Sequence, residues 1–322
     1  MNQETGERRC AWADGVQRGR ECMGTWGFSL SAGFLLILSM HWITISGLCA
    51  VFFGVQGVYV RYLHLKKISS TEAILFSYFA FALPFLMVPA MKEGFGAIQP
   101  GFWQWTILTS TGALAGFYCS IKALKYSEAS LVMPVLALSP LLVIPVSALM
   151  LKEFPSPTAL MSMLIIVIGC YVLASGRNLA APIKMIAREK GVRWALLTII
   201  IWSFVASADR NALRRSSVAI YPFIELSFIT LLLLPLLFKI KIKLRELKYL
   251  FVCGILNAGL FMTHMAALSV TPKVSYLIAI KRSGILISVV VGLLLFKEKE
   301  RFRRLAAAVI IIAGNVMLYI FS

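Results

Sequence analysis

Residues 267–296 read ALSVTPKVSYLIAIKRSGILISVVVGLLLF, and this stretch decides the fold class. From Val274 to Phe296 it contains no acidic residue, and it is long enough to cross a bilayer, which requires about 20 apolar residues. Lys281 and Arg282 stand side by side in its middle. Because charged side chains are costly at membrane depth, such residues usually face a cavity or a partner, so the pair marks a candidate functional site.

The same stretch repeats an earlier part of the chain. Ser139 corresponds to Ser283 at an offset of 144 residues, and Glu153 corresponds to Glu298 at an offset of 145. Such self-similarity has to be recognised before the fold is argued, because each copy is one structural unit. The predicted parts are an N-terminal extension (1–41), a first repeat (42–175), a linker (176–192) and a second repeat (193–322).

Composition indicates a membrane protein. Apolar residues make up 59% of the chain and charged residues only 14%, which is too little charge to cover a soluble domain of this size. The long uncharged segments favour spanning helices over an outer-membrane barrel. The net charge of +18 lies mostly in short loops, where it is an orientation signal, so no nucleic-acid partner is expected. The expected partners are the lipid bilayer and a small-molecule substrate.

The apolar segments predict an all-α polytopic membrane protein with ten transmembrane helices. The ten spans are expected at 42–60, 72–91, 102–121, 128–150, 158–175, 193–212, 219–238, 248–267, 274–296 and 304–321. The 38 residues from Met23 to Val60 contain no Lys, Arg, Asp or Glu, which is too long for a single span. Three interpretations of this run stay open: an eleventh helix at 24–40, a start site placed too far upstream within residues 1–39, and a signal peptide without a clear cleavage site.

Local patterns predict where helices begin, bend and touch. Ser70 followed by Thr71 and Glu72 is typical of a helix start. The span at 128–150 should bend, because interior prolines free backbone carbonyls. Its prolines are Pro134, Pro140 and Pro145. Small residues at helical spacing predict close helix contacts. Two such stripes are Gly112, Gly116, Ser120 and Gly284, Ser288, Gly292.

The loops differ in their content of Lys and Arg. Counted with the first residue of the following span, the loops after spans 1, 3, 5, 7 and 9 hold 20 of these residues, and the loops after spans 2, 4, 6 and 8 hold 5. The positive-inside rule places the first group in the cytoplasm. That orientation leaves the start of span 1 outside, and an eleventh helix at 24–40 would return the Arg-bearing tail to the cytoplasm.

Short motifs recur in both halves. The first half carries Ala123-Leu124-Lys125-Tyr126-Ser127-Glu128-Ala129-Ser130, Pro134, Ser139-Pro140, Lys152-Glu153 and Gly169; the second carries Ala267-Leu268, Ser283-Gly284, Lys297-Glu298 and Gly314. Their order, spacing and duplication resemble the EamA-type branch of the drug/metabolite transporter superfamily, over about residues 42–321. The resemblance implies two inverted five-helix repeats around a central cavity and alternating-access transport. It also implies cytoplasmic termini, contrary to the loop charges, so orientation stays open, as does assembly into a homodimer.

The candidate substrate site is built on Lys281 and Arg282. The organic-phosphate and nucleotide-sugar branches of the superfamily resemble this sequence here, with cations on the ninth helix that face the substrate. An arginine offers a planar fork for a phosphate or carboxylate, and a lysine adds a point charge. Arg210 and Tyr276 are predicted as further substrate-binding residues. The expected function is transport of a small anionic or zwitterionic metabolite across the cytoplasmic membrane.

Two intramembrane acids supply the alternatives. Asp209 and Glu225 are candidates for ion coupling or for counter-charges that satisfy Lys281 and Arg282 internally. If either acid is the key charge, the function is export of drugs or amphiphiles. His264 is expected to be simply hydrogen-bonded.

Other chemistry finds little support in the sequence. The six cysteines form no CxxC pair and the chain has no HExxH, GxSxG or P-loop motif, so no catalytic residue, metal site or cofactor is predicted. A membrane protein without transport activity stays an alternative. Glu153 and Glu298 are expected to pair locally with the adjacent lysines.

Overall fold

The computed structural model describes residues 42–127, 129–174, 188–238, 240, 242–287 and 301–321. Every regular element within these ranges is helical, as the apolar segments predict. Some predictions concern residues outside these ranges. They are the extra helix at 24–40, most of the linker, Ser288, Gly292 and Glu298.

The described residues form twelve α-helices, several of which are parts of one predicted span. The helices are α1 (Trp42–Leu65), α2 (Thr71–Ala80), α3 (Leu83–Glu93), α4 (Phe102–Tyr126), α5 (Ala129–Ala137), α6 (Ser139–Leu151), α7 (Pro157–Ala174), α8 (Lys190–Leu213), α9 (Ile220–Leu233), α10 (Leu244–Val270), α11 (Val274–Arg282) and α12 (Arg301–Phe321). Short 3₁₀ turns at Phe95–Ala97 and Leu234–Phe238 follow α3 and α9.

The length and composition of these helices fit a bilayer. Within the described ranges, four stretches are long and apolar enough to cross one: Trp42–Val60, Thr71–Glu93, Lys190–Leu213 and Leu244–Val270. Shorter apolar helices are Ser139–Leu151, Pro157–Leu173, Ile220–Leu233 and Ala306–Phe321. The class of helical membrane protein is confirmed, whereas the count of ten spans stays a prediction.

The local signals act as predicted. Ser70 Oγ accepts a hydrogen bond of 3.2 Å from the Ala73 N–H and so caps the start of α2. The proline-rich span is broken at Leu138, between α5 and α6, and Pro140 lies in the first turn of α6. Proline is tolerated there because its missing N–H has no partner within the helix at that position.

The second repeat interrupts the corresponding helix at the same point. α11 ends at Arg282, and a turn at Ser283 and Gly284 follows. The repeat aligns Ser283 with Ser139, the first residue of α6. α6 and α11 pack against each other. The two breaks therefore belong to neighbouring helices, one from each repeat.

The helix pairs follow the repeat. Adding five to the number of each predicted span, and continuing from span 10 to span 1, converts one pair into its counterpart. α4 packs on α8, which joins spans 3 and 6, and α10 packs on α1, which joins spans 8 and 1. α7 packs on α12, where a Cβ added at Gly169 would collide with Ile311 and one added at Gly314 would collide with Ile166. Reciprocal contacts of this kind are expected where two repeats are related by a pseudo-two-fold axis.

The predicted close helix contacts are confirmed at Gly112, Gly116 and Gly284. Gly112 and Gly116 lie against side chains of α8, and a Cβ at Gly116 would come within 2.9 Å of the indole nitrogen of Trp202. A Cβ at Gly284 would overlap the carbonyl oxygen of Ala50 on α1. Close approach at Gly284 therefore fixes the end of α11 against α1.

Candidate substrate site

Lys281 and Arg282 lie in the last turn of α11, beside the break. Both residues are half-buried, so part of each remains accessible. Lys281 Nζ lies 5.8 Å from the centroid of the Phe53 ring, and Arg282 Cζ lies 5.5 Å from it. An aromatic face attracts a cation without neutralising it. One ring of the first repeat thus supports both charges of the second.

Arg282 is oriented across the repeat boundary. Its Nε donates a hydrogen bond of 2.7 Å to Ser139 Oγ, at the start of α6. Its backbone carbonyl lies 3.7 Å from the Cys170 thiol, a weak donor. Within the described part of the chain, no carboxylate lies within salt-bridge distance of Arg282. The outer face of the guanidinium therefore keeps donors for another partner.

Two buried carboxyl groups interact with the charge of Lys281. Asp209 on α8 is 4% exposed and Glu225 on α9 is 1% exposed. The Tyr221 hydroxyl donates to Asp209 Oδ1 at 2.7 Å and lies 3.0 Å from Thr109 Oγ1. Glu225 Oε2 is buried and has no hydrogen-bond partner among the described residues. One acid is therefore held by neighbours, and the other is incompletely satisfied.

Lys281 interacts with both acids at longer range. Its positive charge attracts Asp209 and Glu225. No carboxylate oxygen of the described ranges lies within salt-bridge distance of its Nζ. The structure thus brings the opposite charges near each other without closing them into direct ion pairs.

His264 and Cys49 are close enough to Lys281 to interact with its charge. His264 Nδ1 is 3.9 Å from Cys49 Sγ, and both residues are buried. This contact agrees with the hydrogen-bonded role predicted for His264. In the part of the chain that the structure describes, no group of three or more His, Cys, Asp or Glu is placed to hold a metal ion.

Arg210 and Tyr276 have different neighbours. Arg210 follows Asp209 directly, but its Nε pairs with Glu153 Oε1 at 3.2 Å. Tyr276 is 2% exposed, and its ring centroid lies 6.1 Å from that of Trp42. Of the predicted residues, the structure brings Lys281 close enough to the two acids for their charges to interact. It places Arg282 on Ser139 and gives Arg210 and Tyr276 contacts of their own.

The predicted pairing of Glu153 with Lys152 is wrong. Glu153 instead contacts Arg210 at 3.2 Å and Arg214 at 3.3 Å, both from the second repeat. The reason lies in the backbone: Lys152 ends α6 in a left-handed conformation, with φ of 58°, and its side chain is exposed. Adjacent charges in the sequence are therefore turned apart.

Sequence reasoning missed three residues that shape the site. Tyr221 precedes Glu225 by four residues, one helical turn, and this spacing could have indicated it. Ser139 was recognised only as a mark of the repeat, and its contact with Arg282 depends on tertiary packing. Phe53 could not have been singled out, because nothing in the sequence of α1 indicates that the two cations of α11 lie over its ring.

A groove elsewhere on the protein differs in character. It has a volume of about 400 Å³ and lies between α1 and α12, lined by Ile43, Thr44, Asn315, Val316 and Tyr319. None of these side chains is charged. The groove therefore offers no counter-charge for an ionic substrate, unlike the region around Lys281.

Together these features define the class. A doubled helical bundle with charged residues at a broken helix is the architecture of secondary transporters. Residues 25–175 and 189–320 match the EamA-like transporter family, so the first match includes part of the predicted N-terminal extension. The chain belongs to this family and is a multi-pass membrane transporter of small molecules.

Solved structures support the fold alone. One of them, described as "Crystal structure of protein", has a TM-score of 0.63 and 17% sequence identity. The likeness covers 84% of this chain and 96% of that chain. No curated protein matches the chain.

Proposed function

We propose that the protein transports a small anionic or zwitterionic metabolite across the cytoplasmic membrane by alternating access, with Lys281 and Arg282 facing the substrate in a central cavity. One observation supports this most: two half-buried cations lie over Phe53 at a helix break, with no direct carboxylate partner in the described ranges. Intramembrane cations without an ion-pair partner are available to the anionic group of a ligand.

The two cations have complementary roles in this proposal. Arg282 uses Nε on Ser139, which leaves its two Nη groups to bind two oxygens of a phosphate or carboxylate side by side. Lys281 adds a compact charge that adapts to the position of the anion. The face of the Phe53 ring contacts both cationic groups, which favours their present position over one that faces lipid.

The buried acids favour a substrate that also carries a positive group. Glu225 Oε2 has no hydrogen-bond partner among the described residues, so it is free to accept one from an ammonium group. Asp209 is already engaged by Tyr221. A zwitterion would therefore meet both signs of charge within one region.

The break in α11 suits alternating access. Discontinuous helices carry the substrate sites of many secondary transporters, because the interruption lets the two parts of a span move separately. Here the interruption at Ser283 and Gly284 comes directly after the two cations. Movement at this turn would change their position relative to α1 and α6.

The proposal is tested with purified protein in two stages. Thermal-shift screening with organic acids, phosphorylated sugars, amino acids and cationic drugs selects ligands, and counterflow in proteoliposomes then measures their exchange. Lys281→Ala and Arg282→Ala should each reduce exchange of an anionic ligand about tenfold or more, because a hydrogen bond to a charged group contributes roughly 1.5–3 kcal/mol. Exchange at the parental rate in both variants would remove the site.

A matched control comes from α4. Lys122 also lies over aromatic rings, with Nζ 5.2 Å from the ring centroid of Tyr118 and 5.9 Å from that of Tyr126. Lys122→Ala removes the same charge from a different place, and exchange should remain at the parental rate. An equal loss in Lys122→Ala would show that the effect is general and not specific to the site.

A second candidate function follows from Glu225. A buried carboxyl group with an unpartnered oxygen could instead bind a lipophilic cation, as in an exporter of drugs or amphiphiles. Strong transport of cationic drugs that is lost in Glu225→Gln and kept in Lys281→Ala would favour this function. Transport of anions lost in Lys281→Ala would favour the first.

A further inference from the structure

Glu153 gathers three donors at one point outside the candidate site. Its side chain is 9% exposed. Oε1 lies 3.2 Å from Arg210 Nε and 3.3 Å from Arg214 Nη2. Oε2 accepts a hydrogen bond of 3.0 Å from the Val274 N–H. We call this set (Glu153, Arg210, Arg214 and the Val274 N–H) the latch.

The latch connects segments that are far apart in the chain. Glu153 follows α6, Arg210 and Arg214 stand at the end of α8, and Val274 begins α11. Arg210 Nη2 also donates to the carbonyl of Thr271 at 2.9 Å, directly after α10. One carboxylate and one guanidinium therefore tie four helix ends together.

A neighbouring hydrogen bond adds the remaining loop of this end. The Gln99 N–H, after α3, donates to the Arg215 carbonyl, after α8, at 2.8 Å. The loops that follow predicted spans 2, 4, 6 and 8 are thus joined in one network. They are the loops that hold 5 Lys and Arg against 20 in the others, so we call this side the Lys/Arg-poor end.

The contacts within the latch differ in weight. The side chains of Arg210 and Glu153 are 11% and 9% exposed, so separating them would leave charge in a nearly dry place. The side chain of Arg214 is 52% exposed, and such a rim pair contributes little. The Val274 N–H belongs to the first turn of α11, where a helix lacks internal acceptors and favours a negative charge.

The latch touches both helices that carry the candidate site. Arg210 follows Asp209 on α8, and Val274 opens α11, whose last turn carries Lys281. At 1.5 Å per residue, Val274 and Lys281 are roughly 10 Å apart along the helix. The latch therefore lies beyond the site, toward the Lys/Arg-poor end.

We propose that the latch is the closed gate at the Lys/Arg-poor end of the transport path and that release of Glu153 opens it. This inference rests on the proposed transport by alternating access. α11 cannot separate from α6 and α8 at this end while Glu153 binds both Arg210 and the Val274 N–H. Glu153 belongs to the first repeat and its partners to the second, so the latch opposes movement of one repeat against the other.

Cysteine labelling tests the gate directly. Ser275 follows Val274 and is 1% exposed. A water-soluble maleimide should therefore react slowly with the Ser275→Cys variant in lipid nanodiscs, after the labelling of the native cysteines has been subtracted. Adding Glu153→Gln should raise this rate about tenfold, a factor that corresponds to about 1.4 kcal/mol. An unchanged rate in folded Glu153→Gln protein would overturn the proposal.

Three further variants keep the test decisive. Glu246→Gln is the matched control, because Glu246 is also buried, at 8% exposure, but lies near the start of α10, at the opposite end from Thr271. It should leave the labelling rate unchanged. If Glu153→Gln does not fold, Arg210→Lys is used instead. This change keeps the positive charge but removes the planar guanidinium, so the labelling rate should be higher than in Arg214→Gln. Equal rates in those two variants would overturn the gate.

Labelling also separates this inference from the substrate site. The measurement needs no substrate, so it does not depend on which molecule is transported. If Lys281→Ala leaves exchange unchanged while Glu153→Gln raises labelling, the substrate site fails and the gate stands. If exchange falls in Lys281→Ala but labelling is unaffected by Glu153→Gln, the gate fails and the substrate site stands.

Discussion

The latch and the region around Lys281 use the same residue types in opposite ways. At the latch, Glu153 meets Arg210 at 3.2 Å and also accepts the Val274 N–H. Around Lys281, the cations lie on an aromatic ring, and Glu225 Oε2 has no hydrogen-bond partner among the described residues. Charge alone therefore does not distinguish the proposed ligand site from the latch; incomplete pairing does.

The physical reason is the penalty for unpaired charge away from water. A buried ion pair with good geometry holds parts of the protein together, and removing one partner is strongly destabilising. Buried charges that lack such partners are retained where a ligand or an ion supplies the missing interaction. Stability should therefore depend more on the latch, and transport should depend more on Lys281 and Arg282.

Replacing one arginine in each region should test this comparison most clearly. Arg210→Gln should lower the free energy of unfolding by about 3 kcal/mol, because it leaves the largely buried Glu153 carboxylate with the exposed Arg214 as its one charged partner, beside the Val274 N–H. Arg282→Gln should lower it by only about 1 kcal/mol, since it removes one hydrogen bond to Ser139. Denaturation in detergent measures both. Equal losses would mean that the two regions do not differ as the contacts indicate.

Gly284→Ala tests how the site is held together. The added methyl group would overlap the Ala50 carbonyl, so α11 must move away from α1. Overpacking of this kind costs about 1–3 kcal/mol, and here it should also lift Lys281 from Phe53 and weaken ligand binding. Binding measured by thermal shift should fall together with stability. Gly47→Ala is the control, because a Cβ there meets nothing within 4 Å.

Phe53→Leu sharpens the role of the ring. The change keeps an apolar side chain but removes the face on which Lys281 and Arg282 lie. A cation–π contact contributes about 0.5–2 kcal/mol, so the KM for an anionic ligand should rise severalfold. Transport kinetics in proteoliposomes would show this. An unchanged KM would mean that the ring only fills space.

Glu225→Gln should have the smallest effect on stability. Because Glu225 Oε2 has no hydrogen-bond partner in the described structure, replacing the acid should change the free energy of unfolding by less than about 0.5 kcal/mol. Asp209→Ala, by contrast, should destabilise by about 1–3 kcal/mol, because the buried Tyr221 hydroxyl loses its charged acceptor and keeps only the neutral Thr109 Oγ1. A large loss of stability in Glu225→Gln would show that Glu225, like Glu153 in the latch, stabilises the fold.

Several features of the fold were predictable because they depend on neighbours in the sequence. Ser70 caps α2 and Pro140 begins α6, since a cap or a missing N–H acts within one turn of its own residue. Gly112 and Gly116 indicated a close helix contact, although not with which helix. The repeat indicated two related halves, and the helix pairs follow that relation.

The candidate site was predictable only in part. Lys281 and Arg282 stood out because any charge within an apolar span is conspicuous. The partner of Glu153 was not predictable, because Arg210 is 57 residues away and no local pattern links them. The sequence suggested the adjacent Lys152 instead, and the backbone turn at that residue excludes it.

The amino-acid sequence by itself determined the class: apolar runs of bilayer length, a duplicated order of motifs, and two neighbouring cations in the middle of a span. These properties depend on composition and short-range spacing, which need no knowledge of the packing. Only the tertiary structure decided that Phe53 lies beneath both cations, that Tyr221 engages Asp209, and that Glu153 closes on α8 and α11. Those contacts join residues from separate helices, and their geometry exists only once the helices are packed.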